Sequence, residues 1–400
     1  MRNKPLLVLF ITIFIDLLGF GIIIPILPLY AEELGAASWL IGLIAASFSM
    51  MQFLFAPFWG NLSDKIGRRP VLMISISLMA FSYLILAHAH TLALLFASRM
   101  LAGVGAANIS TANAFVSDIS TDENRARNFG IIGAAFGLGF IFGPPVGGFL
   151  KTNYGIEWVG YVSALLAACN LVLAFFLLPE SLKHKNTKGP LFPNPLKEVL
   201  RIFPRKDIRS FLLIHFIFIT AFSTLQITAS LMWENQFGLT EAEVGYTFAF
   251  VGVSIALVQG GLIGWLTKRF GEQKLFVTGH FFMFVGLISL PFVPQHYFIP
   301  LETIALFCIA VGMAFFTPTL SSLLAQSAGE DEQGKVMGLL QSVGSLSRVI
   351  GPFAGGILYG MYYFLPFITA AFFMLITASV AVYIVYHKLQ NKKAPRSGTP

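Results

Sequence analysis

Long apolar runs joined by connections too short to hold a domain constrain this chain more than any other feature. A helix crossing the hydrocarbon core needs about 20 apolar residues at 1.5 Å each. On that ruler the sequence predicts twelve spans, at 6–29, 39–60, 70–90, 92–117, 128–150, 159–179, 210–232, 243–266, 274–293, 298–325, 335–360 and 363–387. The rhythm breaks once, at the polar, proline-bearing stretch 180–209. The fold expected is an all-α integral membrane protein of twelve transmembrane helices in two pseudo-symmetric six-helix bundles. These are 1–179 and 210–387, with 180–209 as linker and 388–400 as tail.

Charge supports the same reading. Only 11% of the residues are charged, against about 25% in soluble domains. The net charge of +7 would suit nucleic acid, but its distribution argues against that partner. Of the 26 Lys and Arg, all but Arg99, Lys151 and Arg348 fall in the N-terminus, alternate loops, the linker and the tail. The other set of loops carries Lys151 with Glu32, Glu33, Glu234, Glu241 and Glu243. By the positive-inside rule both termini and the linker are cytoplasmic, in a multi-pass protein of the cell (inner) membrane. The first run contains Asp16 and lacks a small-residue cleavage site, so it reads as a retained span rather than a signal peptide. Cys169 and Cys308 lie in apolar runs with no zinc spacing and no disulfide framework.

A charged hairpin, Gly60-Asn61-Leu62-Ser63-Asp64-Lys65-Ile66-Gly67-Arg68-Arg69-Pro70, separates spans 2 and 3. Its glycines return as Gly264 and Gly271, offset by 204. Gly143-Pro144 and Gly147-Gly148 return as Gly351-Pro352 and Gly355-Gly356, offset by 208. Two halves of six spans each enter the bilayer in the same sense and are related by an axis along its normal, a transporter design with a site between the halves.

The twelve spans and the hairpin resemble the major facilitator superfamily. Three further stretches resemble the drug:proton antiporters of the tetracycline-efflux and multidrug type. They are Asp16-Leu17-Leu18-Gly19 running on to Pro25 and Pro28, Arg99 with Gly103 and Gly105, and Gly139-Phe140-Ile141-Phe142-Gly143-Pro144-Pro145-Val146-Gly147-Gly148. Unlike the tetracycline exporters, this chain has no acidic residue within 71–87 or 275–293 of spans 3 and 9.

Asp16 lies near the middle of span 1, where a carboxylate costs about 2.5–3.5 kcal/mol and reads as functional by default. Its protonation depends on which groups surround it, so it can follow conformation. Arg99 stands about a third of the way into span 4, and its repeat counterpart is Phe307. Snorkelling is one account of it; the resemblance implies the other, a proton-coupling arginine acting on a nearby carboxylate, Asp16. Arg348 lies near mid-depth of span 11 opposite Phe140 in the repeat, and structural pairing and substrate contact are equally open for it. With Asp16 ionised, these three charges sum to +1, which favours anionic, zwitterionic or neutral substrates over dications.

Gly60 and Gly67 permit a tight turn and close helix approach. Asp64 suits the positive end of a helix. The resemblance implies a latch in which Asp64 bridges to the start of span 11 near Lys335–Gly338, while Arg68 or Arg69 pairs with Asp118. The resemblance makes Gly139, Gly143, Pro144, Gly147 and Gly148 an antiport helix motif, and they read either as a sealed, bendable contact between halves or as ordinary membrane-helix packing. Gln52, Asn108, Asn113, Gln226, Gln259 and Gln341 either line a cavity or bond between helices. His215 and His280 have no partners at metal-ligand spacing.

No Walker loop is present, and Asp118–Glu123 lacks the glycine and glutamate of a calcium loop. The expectation is a secondary transporter rather than an enzyme. It acts as a monomer, without metal or cofactor, and exchanges amphipathic small molecules or drugs for protons. A narrow-specificity metabolite exporter or uniporter of the same fold is the alternative.

Overall fold

The computed structural model describes residues 4–121, 125–182, 191, 206–327 and 333–393. Most of the 180–209 linker therefore lies outside the described residues. Among those described there is no strand. The helices of the first half are α1 (Lys4–Ile23), α2 (Ile26–Glu33), α3 (Ser38–Ile66), α4 (Arg68–Ala87), α5 (Leu92–Ala106), α6 (Ile109–Ile119), α7 (Arg125–Tyr154) and α8 (Ile156–Leu177). The second half comprises α9 (Lys206–Phe237), α10 (Glu241–Leu257), α11 (Ile263–Phe270), α12 (Glu272–Ser289), α13 (Phe298–Ser327), α14 (Gln333–Met361) and α15 (Leu365–Lys393).

Among the described residues, eleven helical stretches are long and apolar enough to cross a membrane. The twelfth crossing is α14, whose 29 residues suffice in length. Its Gln341, Ser342, Ser345, Ser347 and Arg348 dilute the apolar run. Apolar surface faces outward elsewhere: Phe176 is 75% exposed and Ile299 77%. Such a surface is stable only against hydrocarbon. A groove of about 480 Å³ between α4 and α8, lined by Pro70, Met73, Ile74, Leu171, Val172 and Phe175 among others, opens on this outer face, away from the contact between the halves.

Among the described residues, three spans are interrupted. The first breaks between α1 and α2 ahead of Pro25 and Pro28, and the fourth breaks at Ala107-Asn108. The eighth carries a π-turn at Val258–Leu262 between α10 and α11. Each break frees backbone groups that need other partners inside a bilayer. At the fourth span α3 supplies them: Trp59 Nε1 donates to the Val104 carbonyl at 2.7 Å, and Gln52 Nε2 to that of Ala106 at 3.1 Å. α15 runs past 387 to Lys393, so the first part of the expected tail continues the last helix.

The repeat is visible in the backbone. Gly67 (φ 119°) turns α3 into α4, and Gly271 (φ 83°) turns α11 into α12. Gly35 (φ 81°) and Gly238 (φ 69°) close spans 1 and 7. L side chains rarely adopt these angles.

Where the halves meet, α3 crosses α14 and α7 crosses α10. A Cβ at Gly42 would lie 2.3 Å from the Pro352 carbonyl, and one at Gly356 2.3 Å from that of Ser38. A Cβ at Gly148 would lie 2.3 Å from the Glu241 carbonyl, and one at Gly245 2.4 Å from that of Pro144. Polar groups reinforce this end. Asn235 Nδ2 donates to both Glu32 oxygens at 3.3 and 3.2 Å, and Thr152 Oγ1 to Glu241 at 3.1 Å. Lys151 pairs with Glu33 at 2.8 Å and with Glu241 at 3.6 Å. A capping box of Thr240 and Glu243 starts α10 here. All of these contacts lie at the end remote from the hairpin. Toward the hairpin end the helix faces are open, and a Cβ at Gly133, Gly137, Gly264 or Gly338 would meet nothing within 4 Å.

Candidate functional site

Asp16 sits on α1 beside the fourth-span break and retains some exposure. Asn108 Nδ2 donates to its Oδ2 at 3.3 Å, and Asn170 Nδ2, from α8, to its Oδ1 at 3.0 Å. Both amides are fixed by other bonds. Asn108 also donates to Ser75 Oγ at 2.8 Å, and Asn170 to the Thr12 carbonyl at 3.0 Å. Asn108 reaches Asp16 because the chain breaks there. Asp16 is thus bonded to two neutral donors and, among the described residues, has no ion-pair partner. Gln52 and Asn108 are both buried and bonded between helices rather than lining open space.

Arg99 is 4% exposed. Its guanidinium lies over the Phe48 ring at 4.6 Å, a cation–π contact, and its Nε has no hydrogen-bond partner. Arg99 and Asp16 do not meet in an ion pair. Tyr83 on α4 is within electrostatic reach of both charges. Its buried hydroxyl has no hydrogen-bond partner and packs against Gly19, one turn along from Asp16. Tyr83 is therefore a group that Arg99 and Asp16, linked by the resemblance as arginine and nearby carboxylate, both act on.

The glycines of α7 have two faces with different duties. Gly139, Gly143 and Gly147 recur every fourth residue and press on α1. A Cβ at these positions would lie 2.8 Å from Leu17 Cβ, 2.6 Å from Gly21 and 2.0 Å from the Ile22 carbonyl. Pro144 and Gly148 face α10 of the other half. One helix therefore touches both the residue after Asp16 and the contact that seals the halves.

At the hairpin, Arg68 is the hub. It contacts Asp64 at 2.5 Å, Asp118 at 3.2 Å and Ser63 Oγ at 2.6 Å. Arg69 donates instead to the Phe175 carbonyl. The carboxylate facing the positive end of α4 is Glu180, which accepts from the backbone N–H of Arg68 at 2.9 Å and of Arg69 at 3.2 Å. Asp64 was the sequence candidate for that place. It lies in the last turn of α3, where Arg68 at i+4 claims it. In this conformation Asp64 is held within its own half; the Lys335 side chain lies outside the described residues.

In the second half, Arg348 donates to Ser345 Oγ at 3.1 Å and has no acidic partner among the described residues. It flanks Gly344 together with His215 of α9. His215 stacks at 6.2 Å on Phe316, and its Nδ1 is buried without a partner. His280 Nδ1–H donates to the Phe276 carbonyl at 2.8 Å, and its buried Nε2 has no partner among the described residues. The side chains of Asn113 and Gln226 are half-buried and that of Gln341 is exposed.

Two polar groups escaped the sequence reading. Asn170 is a lone amide in an apolar span, and nothing in the sequence distinguishes it from Gln226 or Asn113. Glu302 lies in the tenth span four residues from its edge, where an acid reads as interfacial; the fold buries it to 2% exposure.

Comparison with known proteins agrees with this architecture. The sequence model of the Major Facilitator Superfamily matches residues 9–349 and, in a second match, 211–400. The class C tetracycline resistance protein of Escherichia coli is 31% identical over 360 residues, 88% of either chain. Multidrug resistance protein 2 of Bacillus subtilis (strain 168) is 28% identical over 399 residues, 97% of this chain and 96% of the relative. The crystal structure of the human organic anion transporter MFSD10 superposes with a TM-score of 0.73 at 25% identity, covering 95% of this chain and 99% of that one.

Proposed function

The chain belongs to the Major Facilitator Superfamily, and from that premise we propose that it is a proton-coupled antiporter exporting amphipathic small molecules by alternating access. The observation that carries this is Asp16, a partly exposed carboxylate within a span, bonded to two amides and, among the described residues, to no cation. Such a group can hold or lose a proton without breaking an ion pair. The relatives named for tetracycline and multidrug resistance support export as the direction.

In this reading the hairpin end is cytoplasmic, following the basic loops, and residues 1–179 rock against 210–387. The described conformation, sealed remote from the hairpin, is then the one that takes up substrate from the cytoplasm. Asp16 gives its proton inward as substrate enters between the halves. Movement of α1 reaches the seal through α7, whose glycines leave no slack between them. Arg99 acts on Asp16 through Tyr83. Arg68 holds Asp64 and Asp118 in this state, and the latch to the second half forms when the hairpin end closes.

A second reading of the substrate is favoured by Arg348. A guanidinium without an acidic partner suits an anionic group, and a structural relative is described as an organic anion transporter. Efflux from loaded proteoliposomes, measured for ethidium, tetracycline and a carboxylated dye with and without a protonophore, tests both readings. Export of at least one probe that stops with the protonophore is the expected result. Identical efflux under both conditions would remove the proton from the mechanism.

A further inference from the structure

The half without Asp16 holds its own buried carboxylate. Glu302 lies in the second turn of α13 and is 2% exposed. The indole Nε1 of Trp233, on α9, donates to its Oε1, and Oε2 is buried without a partner. The groups carried at this end by the elements packed around α13 are Glu234 on α9, Glu241 and Glu243 on α10, and His296 in the turn before α13. His280 on α12 and Arg348 on α14 lie deeper. None of them bonds to Glu302, and Lys151, the cation described at this end, is engaged by Glu33 and Glu241. A lone carboxylate charge with one hydrogen bond and no cation is costly to bury. A proton on Oε2 removes that charge.

What surrounds the pair ties it to the seal between the halves. Trp233 packs on Phe248 of α10 at 5.3 Å, and α10 closes on α7 through Gly245. Two residues beyond Trp233, Asn235 bonds Glu32 across the interface. Parting the halves at this end pulls on both neighbours of the indole and brings water to the carboxyl.

We propose that Glu302 is a second protonation site, in the opposite half from Asp16, which exchanges its proton when the seal remote from the hairpin opens. Trp233 is its positioning residue, and the indole reports its state. The coupling role rests on the antiport reading; the existence of the site does not.

The test begins on purified protein without substrate. Tryptophan emission is titrated between about pH 5 and 9 in the wild type, Trp233→Phe and Glu302→Gln, the last keeping an acceptor for the indole. The expected result is an emission change present in the wild type and absent from both variants. A wild type with no Trp233-dependent change, or a Glu302→Gln protein that keeps it, overturns the site. In proteoliposomes the protons moved per substrate are then counted, and Glu302→Gln with Asp16 intact should move one fewer. An unchanged ratio and pH profile overturns the coupling role. A wild type that titrates yet moves no protons with substrate supports the site and removes the antiport reading alone.

Discussion

Replacing Asp16 by Asn keeps the shape of the side chain and removes its ability to exchange a proton. Asp16 accepts from Asn170 at 3.0 Å and from Asn108 at 3.3 Å. An amide at position 16 offers one acceptor and turns an NH2 toward the other donor. One of the two bonds is lost and a buried donor loses its partner, a cost of about 1–3 kcal/mol. Asn108 keeps its bond to Ser75 and Asn170 its bond to Thr12, which holds the loss toward the lower figure. The functional effect is larger. A proton moving across 100 mV supplies about 2.3 kcal/mol, and at 1.4 kcal/mol per factor of ten it sustains a gradient of roughly 40-fold for a neutral substrate. Asp16→Asn should therefore accumulate nothing, with the concentration ratio falling to about one, while downhill counterflow persists. Reconstituted vesicles with an imposed potential and pH gradient read both quantities. A variant that still builds a gradient would refute Asp16 as the proton carrier.

Other perturbations address the seal, the hairpin and substrate charge. In Gly245→Ala the new Cβ would lie 2.4 Å from the Pro144 carbonyl, so the halves must separate by about 1 Å to restore ordinary contact; spin-label distances between the ends of α7 and α10 should shift toward the longer population, and an unchanged distribution counts against the seal. Arg68→Lys retains the charge but not the forked geometry that reaches Asp64 and Asp118 together, and should slow transport several-fold without changing which substrates bind; full activity would reduce the hairpin to a topology signal. Arg348→Gln should weaken binding of carboxylated substrates by roughly ten- to a hundredfold and spare neutral ones, as a charged hydrogen bond of about 1.5–3 kcal/mol implies, and equal losses for both, read from competition binding, would make Arg348 structural.

The spans were legible because their length and apolarity are a one-dimensional property that the bilayer enforces. Asp16 was legible for the same reason, as a carboxylate in an apolar run. Its partners were not: Asn108 and Asn170 lie 92 and 154 positions away in the chain, and only helix packing selects them from equivalent amides. The break that delivers Asn108 carries no proline, so composition did not mark it, whereas Pro25 stands in the break of span 1 and Pro28 just after it. Glu180 could not be preferred over Asp64 as the cap of α4, because the cap depends on where span 6 ends in space. Glu302 was missed because hydropathy treats a charge near a span edge as solvated, and the fold lays Trp233 over it.

The most direct measurement follows proton movement by wild-type protein in liposomes holding a pH-sensitive dye, with substrate added to one side and no other energy source. The account predicts that substrate drives protons the opposite way and that the flux vanishes without the protein. Substrate crossing with no accompanying proton movement would contradict it and leave a uniporter of the same fold.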